Sequence, residues 1–213
     1  MKIIILKYKE EAFLSVIYLV GIVGHSVNSL LPLMKVLTPY TLLISVVIVS
    51  MKLLRLDSLK VFYWGLVTFL ITYLTEVIGV KTGLIFGEYS YGNVLGIKLF
   101  DVPIIIGLNW VFVILGLINL FQKFKTNNFF KGLYVGIGAV AFDFILEPVA
   151  ISLTYWSWDD IQIPLQNYIA WFVLAYVFYL LFAYFKIELR TTISRNYFII
   201  QLIFFIVLRV GVL

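Results

Sequence analysis

Apolar residues crowd into seven stretches of this chain, at about 12–34, 36–54, 61–80, 103–122, 132–154, 164–185 and 196–213, with short polar breaks between them. Each is close to the roughly 20 residues that a helix needs to cross the hydrocarbon of a bilayer. The pattern predicts an all-α integral membrane protein, a bundle of about seven transmembrane helices forming one domain over residues 1–213. The second stretch is interrupted by Lys52 and fits a membrane helix only if Lys52 and Arg55 reach out to the interface. Three lysines precede the first stretch, as in a signal peptide, but the apolar run is too long and lacks a small-residue cleavage site. A retained first span is expected.

Charge tests this count, because the apolar pattern made no use of it. Lys2, Lys7, Lys9, Lys52, Arg55, Lys60, Lys123, Lys125, Lys131, Lys186, Arg190 and Arg195 fall in alternate breaks, whereas the other breaks carry only Lys35, Lys81 and Lys98. Basic residues collect on the cytoplasmic side of membrane proteins. Seven spans with the N-terminus inside and the C-terminus outside follow, in a prokaryotic cytoplasmic (inner) membrane. Composition agrees: 63% of the 213 residues are hydrophobic and 13% charged. The net charge of +5 is dispersed among apolar runs, so it reads as topology, and no nucleic-acid partner is expected. Cysteine is absent, which removes disulfides, thiolate metal sites and thiol nucleophiles.

Polar side chains inside apolar helices are costly and become functional candidates, with helix-to-helix hydrogen bonding as the plainer alternative. The orientation above assigns each a depth. His25 and Asn28 fall late in the first span, Glu76 late in the third, Asn109 and Trp110 early in the fourth, Asp143 and Glu147 in the fifth, and Asn167 early in the sixth. All are expected in the outer half of the bilayer. Asp143 and Glu147 are four apart and share a helix face. Two carboxyls that close in a low dielectric do not both ionise readily, and a retained proton is what a general acid needs. Pro148 cannot donate to the carbonyl of Phe144, so the helix is expected to kink or open beside the pair. Two outer loops stand out: GLIFGEYSYGNVLG (residues 83–96), whose glycines suit a tight loop against the membrane, and YWSWDD (155–160). Their aromatic residues would form an interfacial belt or else line a pocket and offer ring faces to a cation.

Two segments carry a resemblance. Thr75 to Trp110, including TEVIGVKTGLIFGEYSYG, and Phe142 to Trp171, including FDFILEPVAISLTYWSW and IPLQNYIAW, resemble the membrane-bound carotenoid hydratase family. Glu76, Gly83, Gly87, Tyr89, Tyr91, Pro103, Trp110, Asp143, Pro148, Trp156, Trp158, Pro164, Asn167 and Trp171 match its pattern, and Glu147 stands where that pattern takes Asp or Glu before proline. The resemblance implies addition of water to the terminal isopropylidene double bond of an acyclic or monocyclic carotenoid end, as in γ-carotene or bisanhydrobacterioruberin. Such a reaction requires a proton donor, a site that tolerates a tertiary carbocation and one placed water, with neither cofactor nor metal. Asp143 or Glu147 would protonate the alkene, and Glu76 or His25 would orient the water. Tyr89, Tyr91, Trp110, Trp156 and Trp158, with Asn28, Asn109 and Asn167, would bind the substrate. The expected partners are a lipid-soluble polyene, membrane lipid and other carotenoid biosynthesis enzymes. A lycopene-type cyclase would share the protonation and differ only in the fate of the cation. A proton-coupled transporter could also use buried carboxyls, although no inverted repeat is visible.

Overall fold

A computed structural model describes residues 8–160 and 162–211. The described residues fold into seven helices: α1 (Lys9–His25), α2 (Leu31–Leu56), α3 (Leu59–Thr82), α4 (Ile104–Phe121), α5 (Asn128–Ser152), α6 (Leu165–Tyr184) and α7 (Ile193–Gly211). Four short strands lie between them, β1 (Tyr89–Tyr91), β2 (Lys98–Leu99), β3 (Val102–Pro103) and β4 (Trp156–Trp158). Helices α2 to α7 are each long and apolar enough to cross a membrane, and α1 adds 17 helical residues packed against α7 and α2. Lys2, Lys7, Val212 and Leu213, which entered the topology argument, lie outside the described residues.

Helix α4 is the axis of the bundle. It is the most apolar span, 78% of it is buried, and it packs against α2, α3, α5, α6 and α7. The outward faces of α1, α2 and α3 keep residues such as Val16, Leu19, Val36, Tyr63 and Leu74 exposed. In water such a surface would be an association liability, and against lipid tails it is ordinary. Close packing comes from small residues. Gly132 and Gly136 of α5 lie against the rings of Tyr176 and Phe172 of α6, where an added Cβ would come within 2.7 and 2.8 Å of ring carbons. Two glycines four apart put both flat patches on one helix face, so α6 approaches closely.

The first two predicted boundaries need correction. The first helix ends at His25 rather than near residue 34, residues 26–30 form the turn, and α2 begins at Leu31. Pro32 supplies the reason: in the first turn of a helix proline loses no hydrogen bond and its fixed φ favours the start. Lys35 is therefore helical, and its Nζ donates to Thr154 Oγ1 at 3.3 Å. Lys52 does not extend to the interface alone. Glu10 and Glu11 of α1 meet it at 3.2 and 2.8 Å, so a partly buried cation is neutralised by its neighbours.

The aromatic loops also differ from expectation. β1 pairs with β4 antiparallel, with Tyr89 opposite Trp158, Ser90 opposite Ser157 and Tyr91 opposite Trp156. Side chains alternate across a strand. Ser90 and Ser157 are exposed, and the four aromatic residues turn inward over the helix ends. This small sheet caps the bundle at the end formed by the C-terminal parts of α3 and α5 and the N-terminal parts of α4 and α6.

Candidate functional site

Under that cap lies a cavity of about 40 Å³ whose lining includes Glu76, Asp143 and Glu147. Glu76 comes from the last turns of α3, about two turns before the αL glycine Gly83 that ends the helix. Asp143 and Glu147 lie one turn apart on the inward face of α5. The three carboxyl residues are 2–3% exposed. Tyr89, Tyr91, Trp110, Trp156, Trp158 and Trp171 supply aromatic walls, and Asn109 and Asn167 supply amides.

Each carboxyl has its own set of donors. Glu76 Oε2 accepts from the phenols of Tyr89 at 2.5 Å and Tyr91 at 2.8 Å. Glu147 Oε2 accepts from the indoles of Trp156 at 3.0 Å and Trp158 at 2.9 Å. The two strands thus clamp two carboxyls from different helices, one with O–H donors and one with N–H donors. Asp143 Oδ2 accepts from Asn167 Nδ2 at 2.6 Å. Among the described residues no donor reaches its other oxygen. Burial first, and then the adjacent Glu76 carboxyl, push the Tyr89 and Tyr91 phenols above their usual range, so both stay protonated donors. Burial likewise pushes Tyr155, just after α5, up to about 12.

The aromatic walls are ordered by contact. Trp110 stacks on Trp171 with ring centroids 3.5 Å apart and planes 16° from parallel. Phe86 also stacks on Trp171, with centroids 5.3 Å apart, and Tyr89 lies 5.0 Å from Trp158. Asn109 Oδ1 accepts from Gln201 Nε2 at 2.7 Å, and Gln201 also donates to the Tyr18 hydroxyl at 3.3 Å. A buried polar chain therefore ties the cavity to α1 and α7.

Pro148 lies inside α5, which continues through it to Ser152. The carbonyl of Phe144, left without its backbone donor, accepts from Arg209 Nη1 at 2.5 Å, and the guanidinium also stands 4.6 Å from the Phe144 ring. The expected local opening is thus met by a side chain from α7.

Of the expected site residues, Glu76, Tyr89, Tyr91, Asn109, Trp110, Asp143, Glu147, Trp156, Trp158 and Asn167 line this one cavity. His25 and Asn28 do not. His25 Nδ1 donates back to the Gly21 carbonyl of its own helix at 2.7 Å, which turns the ring against Phe204 and into a neighbouring cavity. Asn28 is exposed in the turn after α1, because the helix that was to carry it inward stops at His25. Gln201, Phe205 and Leu42 were overlooked. Gln201 is a fully buried amide in an apolar helix and meets the same criterion as Asn109. Phe205 and Leu42 carry no signal that separates them from other core residues. Among the described residues no three His, Asp or Glu side chains group closely enough to hold a metal ion.

Fold and site define an integral membrane helical bundle with an acidic, aromatic-walled cavity under a two-stranded cap. The chain matches the family described as carotenoid biosynthesis protein over residues 37–213 and belongs to that family. It is similar to the bisanhydrobacterioruberin hydratase of Haloarcula japonica, with 30% identity over 124 residues, covering 53% of this chain and 41% of that protein. The match thus spans less than half the length of that curated relative. No solved structure matches the chain.

Proposed function

We propose that this protein is a carotenoid hydratase, adding water to the terminal isopropylidene double bond of an acyclic or monocyclic carotenoid end by acid catalysis. The observation that carries this reading is the grouping of Glu76, Asp143 and Glu147 around one aromatic-walled cavity. The cavity, of about 40 Å³, is large enough to admit water.

The pattern of donors divides the roles. Glu147 and Glu76 each hold one oxygen as acceptor of two hydrogen bonds, an arrangement that favours the carboxylate form. Asp143 has one donor and a free oxygen, so it is the general acid. Its O–H proton passes to the less substituted alkene carbon, and the π pair forms the new C–H bond. Positive charge is left on the dimethyl carbon, flanked by the faces of Trp110, Trp156, Trp158 and Tyr89. A water held by Glu147 or Glu76 attacks that carbon through oxygen. Its surplus proton goes to the holding carboxylate and returns to Asp143, so the sum is alkene plus water to tertiary alcohol. The enzyme acts in the membrane, where such a polyene dissolves, and draws on other carotenoid biosynthesis enzymes for its substrate.

Expression in a lycopene-producing host, followed by chromatography and mass analysis of the pigments, tests the proposal. A carotenoid heavier by one water, with its oxygen drawn from heavy-oxygen water, is expected. A ring-closed product of unchanged mass would make the protein a cyclase, and an unchanged pigment profile would remove both enzymatic readings.

A further inference from the structure

The cavity among the carboxyls, of about 40 Å³, has no room for a whole isoprenoid chain. A second cavity, of about 250 Å³, adjoins it between α1, α2 and α7. Leu42, Tyr155 and Phe205 line both spaces and so stand between them. The second cavity is lined largely by carbon, including Ile17, Gly21, Met34 and Phe204. Val20 and Leu37, also in its lining, are 60% and 42% exposed, one on α1 and one on α2. The space therefore opens sideways between two helices, toward lipid tails rather than water.

We propose that this cavity between α1, α2 and α7 is the berth for the apolar isoprenoid chain of the substrate, entered laterally from the bilayer, with Leu42, Tyr155 and Phe205 as the partition its end group passes to meet the carboxyls. The identity of the chain as a carotenoid rests on the function proposed above. Glycine at position 21 keeps the berth open, since a Cβ there would stand 3.1 Å from the Phe204 ring. Tyr155 is held at the partition by Thr38, with 3.3 Å between the two hydroxyl oxygens. Rotation of the phenol about that contact would join the two spaces. A rival groove of about 180 Å³ between α2, α3 and α4 is also apolar, but it shares no lining residue with the carboxyl cavity. A chain lying there has no shared wall to cross.

The absence of cysteine makes the test direct. Thr41→Cys places a thiol in the berth and Ser50→Cys places one in the rival groove. Both are made in the chain carrying Asp143→Asn, so that turnover is suppressed, and are labelled in detergent with an apolar maleimide, with and without lycopene. Lycopene should slow labelling at position 41 severalfold and leave position 50 unchanged. Protection at position 50 alone, or at neither position, overturns the proposal. Protection at position 41 without any hydrated product from the wild-type chain would leave the berth standing and remove the hydratase reading. In an active chain, Leu37→Trp at the mouth should raise KM with kcat unchanged, which a mere loss of folded protein would not do. An unchanged KM counts against lateral entry.

Discussion

At the scale of single residues, the proposed mechanism turns on which oxygen has a donor. Asp143 and Glu147 occupy equivalent positions one turn apart, yet only Glu147 is gripped by two indoles. Asp143→Asn keeps size and the contact with Asn167 but removes the acid, so membrane yield should be unchanged while hydrated product falls at least about 100-fold, the lower range for a placed general acid. Glu147→Gln should lose less, because the substituted amide still offers an oxygen to the indoles and to water. Pigment chromatography normalised to protein in the membrane reads both. If the two variants both retain near wild-type conversion, the pair is structural and the acid must be Glu76. This part of the site was legible beforehand, since a carboxyl in an apolar run is conspicuous and the i, i+4 spacing puts two on one face. The division of labour was not legible, because the donors arrive from residues 9 to 24 positions away in the chain.

At the scale of elements, α5 shows how a broken hydrogen bond is repaired across the bundle. Pro148 deletes the donor for the Phe144 carbonyl, and Arg209 of α7 replaces it. Arg209→Ala should destabilise the protein by about 1–2 kcal/mol, the order expected for leaving such an acceptor unpaired. In a Pro148→Ala background, the restored backbone N–H serves that carbonyl, and the same arginine substitution should cost much less. Thermal unfolding of the four chains in detergent gives this coupling directly. Equal costs in both backgrounds would show that Arg209 acts elsewhere. The cap is a second case. The period-two alternations Tyr-Ser-Tyr and Trp-Ser-Trp were present in the sequence, but three-residue strands more than 60 positions apart are indistinguishable from aromatic loops until they are seen to pair.

For the whole molecule, the apolar periods placed the seven helices of the described residues, and their errors collected at the first turn, where Pro32 set a start that hydropathy does not register. The orientation rests on charge. A reporter active only in the cytoplasm, fused after Leu213, is expected to stay silent, while the same reporter in the break at residues 123–127 should be active. A strong signal at the C-terminus would reverse the assignment of α7 or remove one span.

Local composition is enough to determine that this chain leaves water, because hydrophobicity summed over some 20 residues needs no knowledge of neighbours. For the same reason it singles out Glu76, Asp143 and Glu147, whose cost in an apolar helix is a property of the residue and its immediate surroundings. Rotation and closure of the helices are decided by side chains meeting across the bundle, such as Gly132 and Gly136 against α6 and Gln201 against Asn109. Only that packing could draw three carboxyls under one aromatic cap, turn His25 away against Phe204 and leave Asn28 outside. Depth along a helix follows from counting residues, whereas the direction a side chain finally faces is a joint outcome of all seven helices.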